Sequence, residues 1–231
     1  MDKQDKTSIG TLSEKSVHSV LKDYIEPNKE RQEVKIGRYI ADIKQDNEVI
    51  EIQTQQFKKL IPKINYYNSI GLKTTIIYPL IHRKTICWIN PIDHRLIEEK
   101  KSTKIGRLQD IFKELYWIVD YIESKQIDLK IISLDVKEYK LLDGYGHNNK
   151  KRATKVDKIP TNINETITIS SIDDLKKLIP ETLKNKEWTA KEYIKEVKSN
   201  NRYIGSGLKM LREKGVIQVV RKEGNSFIYK A

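Results

Sequence analysis

The spacing of apolar residues over positions 1–143 predicts alternating helices and strands. Val17, Val20, Leu21 and Tyr24 recur at helical spacing, and this helix should end before Pro27. The further predicted elements are strands at 34–43 and 48–54, a helix at about 56–68, strands at 73–80 and 84–89, a helix at about 107–124 and a strand at 129–134. This order is typical of an α/β domain in which helices pack on a mixed sheet.

Residues 144–169 interrupt this pattern. They begin with glycine, asparagine and basic residues, stay largely polar as far as Asn164, and lack the apolar periodicity of a packed element. We interpret them as a basic linker or loop between a domain at 1–143 and a second domain at 170–231.

Residues 170–231 predict a small helical domain that ends in a hairpin. Ser171 could begin a first helix that Pro180 must break or kink, and Thr189 with Glu192 forms a capping box for a second helix. The second helix, the third helix and the two hairpin strands are predicted at 190–198, 203–214, 216–221 and 226–229. Three helices followed by a β-ribbon are the pattern of a winged helix-turn-helix domain, which predicts DNA binding.

Charge strengthens the case for a polyanionic partner. The formal net charge is +12, and +9 of it lies in residues 144–231. Such an asymmetry favours nucleic acid, because lysine and arginine neutralise phosphates and release counterions. The alternative is a lysine-rich solubilising surface, and charge alone does not separate the two.

Several classes of protein and site are excluded by what the sequence lacks. Its apolar runs fall short of the roughly 18 residues that a membrane helix needs, and its charged N-terminus has no signal-peptide pattern, so we expect a cytoplasmic protein. The single cysteine, Cys87, excludes an intrachain disulfide and a cysteine-rich zinc site. No glycine-rich phosphate loop predicts ATP or NAD binding.

Two acidic residues carry the sharpest chemical signal. A hairpin that turns symmetrically about Asp46-Asn47 would place Asp42 directly opposite Glu51, with Gln53 on the same face. Carboxylates held that close repel each other unless a proton or cation intervenes, and Mg²⁺ prefers such hard oxygen ligands. The alternative is a polar outer face on a hairpin with a different register.

These residues resemble the PD-(D/E)XK nuclease superfamily, which places an Asp and a later Glu-X-Lys on neighbouring strands after an N-terminal helix. The match is Asp42 followed by Glu51-Ile52-Gln53, within roughly residues 10–90. The resemblance implies a restriction-endonuclease-like sheet, with Asp42, Glu51 and the Ile52 carbonyl as ligands of Mg²⁺ or Mn²⁺. It also implies hydrolysis of DNA phosphodiester bonds by a metal-bound water.

Two further site residues follow from the same resemblance. Holliday-junction-resolvase-like members place a Glu on the first helix, and Glu14 occupies that position, although it would also complete a capping box with Thr11. The family lysine is replaced by Gln53, which can hydrogen-bond a water but carries no charge. Lys58, Lys59 or Lys63 on the next helix could supply the missing charge, and we include Lys58 in the predicted catalytic set.

The predicted third C-terminal helix should enter the major groove of DNA. Its candidate contacts are Asn201, Arg202, Tyr203, Ser206, Lys209 and Arg212, with Arg221 and Lys222 on the wing. The alternative is a winged helix used for protein contact or dimerisation.

The leading hypothesis is a metal-dependent DNA endonuclease that its winged helix delivers to DNA. The rival hypothesis is a DNA-binding regulator whose nuclease-like domain has lost catalysis, and Gln53 is its motivation. Cutting both strands of a duplex would be easiest for a homodimer, but no heptad repeat identifies an interface.

Overall fold

The computed structural model describes residues 16–145, 152–199 and 202–231. The fold is α/β, with a large mixed sheet flanked by helices. The helices are α1 (Val17–Ile25), α2 (Ile61–Ser69), α3 (Phe112–Leu115), α4 (Val119–Glu123), α5 (Glu181–Lys184), α6 (Ala190–Val197) and α7 (Ile204–Glu213). No helix among these residues is long and apolar enough to cross a membrane.

Ten strands within the described residues form two sheets. They are β1 (Gln32–Ile36), β2 (Tyr39–Lys44), β3 (Glu48–Ile52), β4 (Lys73–Ile89), β5 (Leu96–Lys101), β6 (Ile127–Leu141), β7 (Thr154–Ile169), β8 (Trp188–Thr189), β9 (Gln218–Glu223) and β10 (Ser226–Lys230). The larger sheet has the order β1-β2-β3-β4-β6-β7, with β5 paired to β4, and β8-β10-β9 form the smaller sheet. The larger sheet is mixed because β3 runs parallel to β4, whereas the pairs β1–β2, β2–β3 and β4–β5 are antiparallel.

A tight turn at Gly37 splits the first predicted strand into β1 and β2. Ile36 pairs with Tyr39 across this turn, and Gly37 adopts φ +58°. A Cβ at Gly37 would overlap the Tyr66 hydroxyl, so glycine meets both a backbone and a packing requirement. The turn therefore fixes the start of β2, which carries Asp42.

The chain divides into two compact units. One comprises the described residues of 1–29, 81–105 and 133–165, and the other comprises those of 30–80, 106–132 and 166–231. In the first unit, Leu21 of α1 and Leu134 of β6 are fully buried. In the second unit, one apolar cluster includes Phe57, Phe112 and Leu211, so residues from all three of its chain segments share a core.

The C-terminal residues form the helices α5, α6 and α7 and a three-stranded sheet within the second unit. Thr189 and Glu192 make the predicted capping box at the start of α6, which confirms that helix start. Helix α7 buries Ile204, Leu208 and Leu211, as its spacing predicts. The following hairpin turns at Gly224-Asn225, because Glu223 pairs with Ser226.

The predicted linker at 144–169 is wrong over most of its described length. Residues Thr154–Ile169 form β7, which pairs with β6 in the larger sheet. Most β7 side chains are only partly buried or exposed, so the strand has no strong apolar alternation in its sequence. β7 pairs with β6, the strand before it in the chain, and backbone pairing of this kind leaves no apolar pattern in the local sequence.

Four other predicted elements have different boundaries. The strands predicted at 73–80 and 84–89 are one continuous strand, β4. The helix predicted at about 107–124 is broken into a 3₁₀ turn, α3 and α4, with a turn at residues 116–118. The first C-terminal helix is likewise a 3₁₀ helix at Asp173–Leu178 followed by the short α5 after Pro180.

Candidate active site

The hairpin of β2 and β3 places the two predicted acidic residues on facing strands. Ile43 pairs with Ile50 and Lys44 pairs with Val49. This is the register that sets Asp42 across from Glu51, as the sequence predicts. Glu51 is only 3% exposed and Asp42 is half-buried, so Glu51 does not lie on a polar outer face.

Asp42 is held by the backbone of the strand that carries Glu51. Its Oδ2 accepts a hydrogen bond from the Ile52 N–H at 2.7 Å. A charge-assisted bond of this length fixes the orientation of the carboxylate. The Asp42 side chain is therefore pre-positioned beside Glu51.

Glu51 is surrounded by groups that hydrogen-bond its two oxygens. Lys63 Nζ lies 2.7 Å from Oε2, and the Tyr67 hydroxyl donates to Oε1 at 3.4 Å. Burial raises the pKa of Glu51 to about 7, and Asp42 contributes to the rise, whereas Lys63 and Tyr67 oppose it. Burial therefore outweighs the adjacent ammonium group, and near neutral pH this carboxyl is poised between its two protonation states.

Helix α2 supplies the positive charge that Gln53 lacks. Lys63 also donates to the Ile40 carbonyl on β2, so its ammonium group joins both strands of the hairpin. Lys58, which we included in the predicted catalytic set, instead places its Nζ 4.5 Å from the centre of the Trp117 ring. The structure therefore brings Lys63, rather than Lys58, to the acidic pair.

Tyr67 belongs to this site although we did not predict it as a site residue. Lys63 and Tyr67 are four positions apart on α2 and so lie on one helical face. That spacing, on a helix directly after the acidic strand, was the signal available in the sequence. Tyr67 is fully buried, and Tyr39 and Tyr66 pack beside it.

The other predicted catalytic and metal-binding residues have clear positions, with one exception. Ile52 ends β3, and the Gln53 side-chain amide donates to the Gln55 carbonyl at 2.6 Å. Glu14 lies outside the described residues. Among the described residues, no group of three or more His, Cys, Asp or Glu side chains could hold a metal ion.

The predicted DNA contacts on α7 lie at or near its solvent-facing side. Ser206 and Lys209 are exposed, and Ser206 Oγ donates to the Tyr203 carbonyl at 2.9 Å. Arg202 precedes the helix and packs on the Tyr203 ring, with 4.9 Å between the guanidinium and the ring centre. Asn201 lies outside the described residues.

Two of the remaining predicted DNA contacts, Arg221 on the C-terminal hairpin and Arg212 on α7, contact other side chains of this protein. Arg221 forms ion pairs with Glu187 and Glu223, and Arg212 lies 5.8 Å from the Phe227 ring centre. Lys222 is exposed at the end of β9. Arg221 must therefore exchange these ion pairs for any contact with phosphate.

Comparison with known proteins places the larger part of the chain in one family. A family described as a domain of unknown function, DUF8091, matches residues 15–170. The chain belongs to the DUF8091 family. The match includes the acidic hairpin and ends where the C-terminal segment begins, so β7 is part of the DUF8091 region.

This DUF8091 protein is also similar to one curated protein. An uncharacterized protein of Treponema pallidum (strain Nichols) is 28% identical over 159 residues, which are 65% of this chain and 60% of that protein. The chain thus covers less than two thirds of this relative. No solved structure matches the chain.

Proposed function

We propose that this DUF8091 protein is a metal-dependent DNA endonuclease whose active site contains Asp42, Glu51 and Lys63. The observation that carries the proposal is the convergence of two carboxylates and one ammonium group on a single hairpin and the helix after it. Paired carboxylates bind a divalent cation, and an adjacent lysine can orient water or stabilise negative charge on phosphate.

The donor set fits Mg²⁺ or Mn²⁺. Asp42 and Glu51 offer hard oxygen ligands, and the Ile52 carbonyl would complete the protein contribution. The raised pKa of Glu51 supports this assignment, because a buried carboxylate beside another carboxylate gains most from a neighbouring cation. A bound cation would lower the pKa of a water molecule and stabilise charge on the phosphate.

The chain's own residues divide the remaining work. Ile52 N–H keeps Asp42 oriented towards Glu51, and Tyr67 with Lys63 orients Glu51. The Lys63 ammonium group is placed to stabilise negative charge on a phosphate, the role assigned in the PD-(D/E)XK nucleases to the lysine that Gln53 replaces.

The C-terminal segment supports DNA as the substrate. We infer a winged helix from the order of α6, α7 and the β9–β10 hairpin, with β8 as the third strand. Ser206 and Lys209 on α7 would face the major groove, and Lys222 would contact the backbone. A protein of this kind would act in the cytoplasm, and a homodimer could cut both strands of a duplex.

The deciding experiment is a cleavage assay with Asp42→Asn. Asparagine can still accept the Ile52 hydrogen bond but removes the charge that a metal ligand needs. Duplex, single-stranded and branched DNA are incubated with Mg²⁺ or Mn²⁺, with EDTA as the metal control. Asp46→Asn is the matched variant, because Asp46 is in the same hairpin and its side chain is 92% exposed.

Cleavage that is lost with Asp42→Asn and EDTA but kept with Asp46→Asn would establish the nuclease. The second candidate is a DNA-binding regulator without catalysis, which the uncharged Gln53 favours. Sequence-selective binding by both wild type and Asp42→Asn, with intact DNA in every metal condition, would favour the regulator.

A further inference from the structure

Two large aromatic side chains lie exposed at the turn between α3 and α4. Tyr116 is 55% exposed and Trp117 is 38% exposed. Their ring centres are 5.6 Å apart, and the rings are nearly perpendicular at 88°. Exposed apolar surface rimmed by polar groups is typical of a binding site, so the surroundings of this aromatic pair decide whether it can bind a ligand.

Lysines border this aromatic surface. Lys58 Nζ lies 4.5 Å from the Trp117 ring centre, and Lys59 beside it is exposed. Lys113, with a side chain 45% exposed, precedes Tyr116 by three positions in α3 and its turn. Aromatic rings beside ammonium groups suit a nucleic-acid strand, because bases stack on the rings and lysines neutralise phosphates.

A direct contact joins this surface to the segment that leaves the candidate active site. Glu114, two residues before Tyr116, accepts a hydrogen bond from the Phe57 N–H at 2.8 Å. Phe57 begins a short 3₁₀ turn four residues after Gln53 in the chain, and Lys58 follows it. The aromatic pair is thus held against the polypeptide that continues from the acidic strand.

We propose that Tyr116 and Trp117 stack on an unpaired base of a nucleic-acid strand, and that Lys58, on the chain segment that follows the acidic strand, neutralises a phosphate of the same strand. The inference rests on the proposed function for its nucleic-acid substrate, but it requires no cleavage. It deepens that function by assigning the substrate class: DNA with a single-stranded or unpaired segment, rather than a continuous duplex. A fully paired duplex stacks its bases internally and offers no free base face.

The test compares binding with and without bases at constant charge. Fluorescence anisotropy is measured in EDTA, so that cleavage cannot occur, with three labelled probes of equal length: a single strand, the same strand containing consecutive abasic sites, and a duplex. The wild type should bind the single strand about tenfold more tightly than the abasic strand, which is the scale of one base stacked on an aromatic ring.

Substitutions then locate the stacking surface. Tyr116→Leu and Trp117→Leu should each remove most of the preference for the strand with bases, whereas Trp117→Phe should retain part of it. Lys58→Gln should weaken binding to both strands alike. Tyr24→Leu is the matched control, because Tyr24 is 60% exposed on α1 and should leave the preference unchanged. Far-ultraviolet circular dichroism verifies folding.

Equal affinity of the wild type for the single strand and the abasic strand would overturn the inference. The inference would also fail if Tyr116→Leu converted a dimer to a monomer while DNA affinity stayed constant. The aromatic surface would then join two copies of the chain. Neither measurement depends on cleavage, because binding is measured in EDTA. The cleavage assay tests the proposed nuclease and the binding assay tests the base-binding surface, so each proposal can fail while the other stands.

Discussion

Burial and hydrogen bonding have opposite effects on the pKa of the Glu51 side chain. Lys63 and Tyr67 contact its two oxygens, yet burial and the nearby Asp42 raise its pKa to about 7. A cation at this position would favour the ionised form and so lower this pKa. The same competition makes this residue a source of pH-dependent stability.

Metal-free stability should depend on pH through Glu51. Its folded-state pKa of about 7 exceeds its ordinary value of 4.5, so the folded state binds the Glu51 proton more tightly than the unfolded state does. The contribution of this proton to the free energy of unfolding is therefore complete below pH 4.5 and is lost as the pH rises through 7. Glutamine mimics the protonated form. Between pH 4 and pH 8, the free energy of unfolding of Glu51→Gln should therefore rise by up to about 3 kcal/mol relative to that of the wild type.

Urea unfolding in EDTA at several pH values measures this difference. Glu165→Gln is the control, because it makes the same substitution at an exposed position outside the acidic hairpin. A pH-independent difference between Glu51→Gln and wild type would show that Glu51 keeps an ordinary pKa.

The two lysines near the acidic hairpin should differ in their effect on cleavage. Lys63→Met removes the ammonium group beside Glu51, and we expect the cleavage rate to fall by about 10²- to 10³-fold, as for loss of one charge-stabilising donor. Lys58→Met leaves the acidic pair untouched and should alter the rate of single turnover by only a few-fold at saturating enzyme. Equal losses of cleavage rate in the two variants would contradict a specific catalytic role for Lys63.

Individual elements differ in how much of their structure local sequence determines. The register of β2 and β3 and the start of α6 were predictable, because a short symmetric turn and a capping box specify them locally. The break at 116–118 was not, since Tyr116 and Trp117 continue an apolar pattern that resembles a helix. The proximity of Lys63 to Glu51 requires the packing of α2 on the hairpin, which spacing alone does not give.

The β1–β2 turn should be sensitive to side-chain volume at Gly37. Gly37→Ala places a Cβ against the Tyr66 hydroxyl at φ +58°, whereas Gly71→Ala has φ +79° and no atom within 4 Å of the new Cβ. Both variants incur a backbone cost of about 1–2 kcal/mol. Gly37→Ala should lose about 1–3 kcal/mol more, as expected for overpacking.

Chemical denaturation of the two variants isolates the contact with Tyr66. Tyr66 packs against Tyr39 on β2, so a displaced Tyr66 would also disturb the strand that carries Asp42. Similar destabilisation by Gly37→Ala and Gly71→Ala would contradict the close packing.

At the scale of the whole molecule, composition is a poor guide to the boundaries of compact units. The glycine- and asparagine-rich start and the missing apolar periodicity of residues 144–169 predicted a linker before a separate domain, but 154–169 is a strand and 166–231 share a core with 30–80 and 106–132. Local composition describes the polar surface of the protein, whereas apolar contacts between segments distant in the chain define its compact units. Lys214 reinforces the link within the second unit through ion pairs with Asp120 and Glu123.

Two glycines on α7 provide a test of this shared core. A Cβ at Gly207 would overlap the Phe112 ring of α3, whereas a Cβ at Gly205 would meet no atom within 4 Å. Gly207→Ala should therefore destabilise the chain by about 1–3 kcal/mol through overpacking. Gly205→Ala should be neutral or stabilising by up to about 1 kcal/mol, since alanine favours a helix.

The unfolding profile decides whether residues 170–231 belong to the same cooperative unit as α3. Because Phe112 and α7 lie in one apolar cluster, Gly207→Ala should shift the transition of the second unit as a whole, followed both by circular dichroism and by hydrogen exchange at α3. If protection at α3 stayed at the wild-type level while α7 alone opened, the C-terminal segment would be an independent domain. Gly205→Ala, with unchanged packing, should leave protection at α3 no weaker than in wild type.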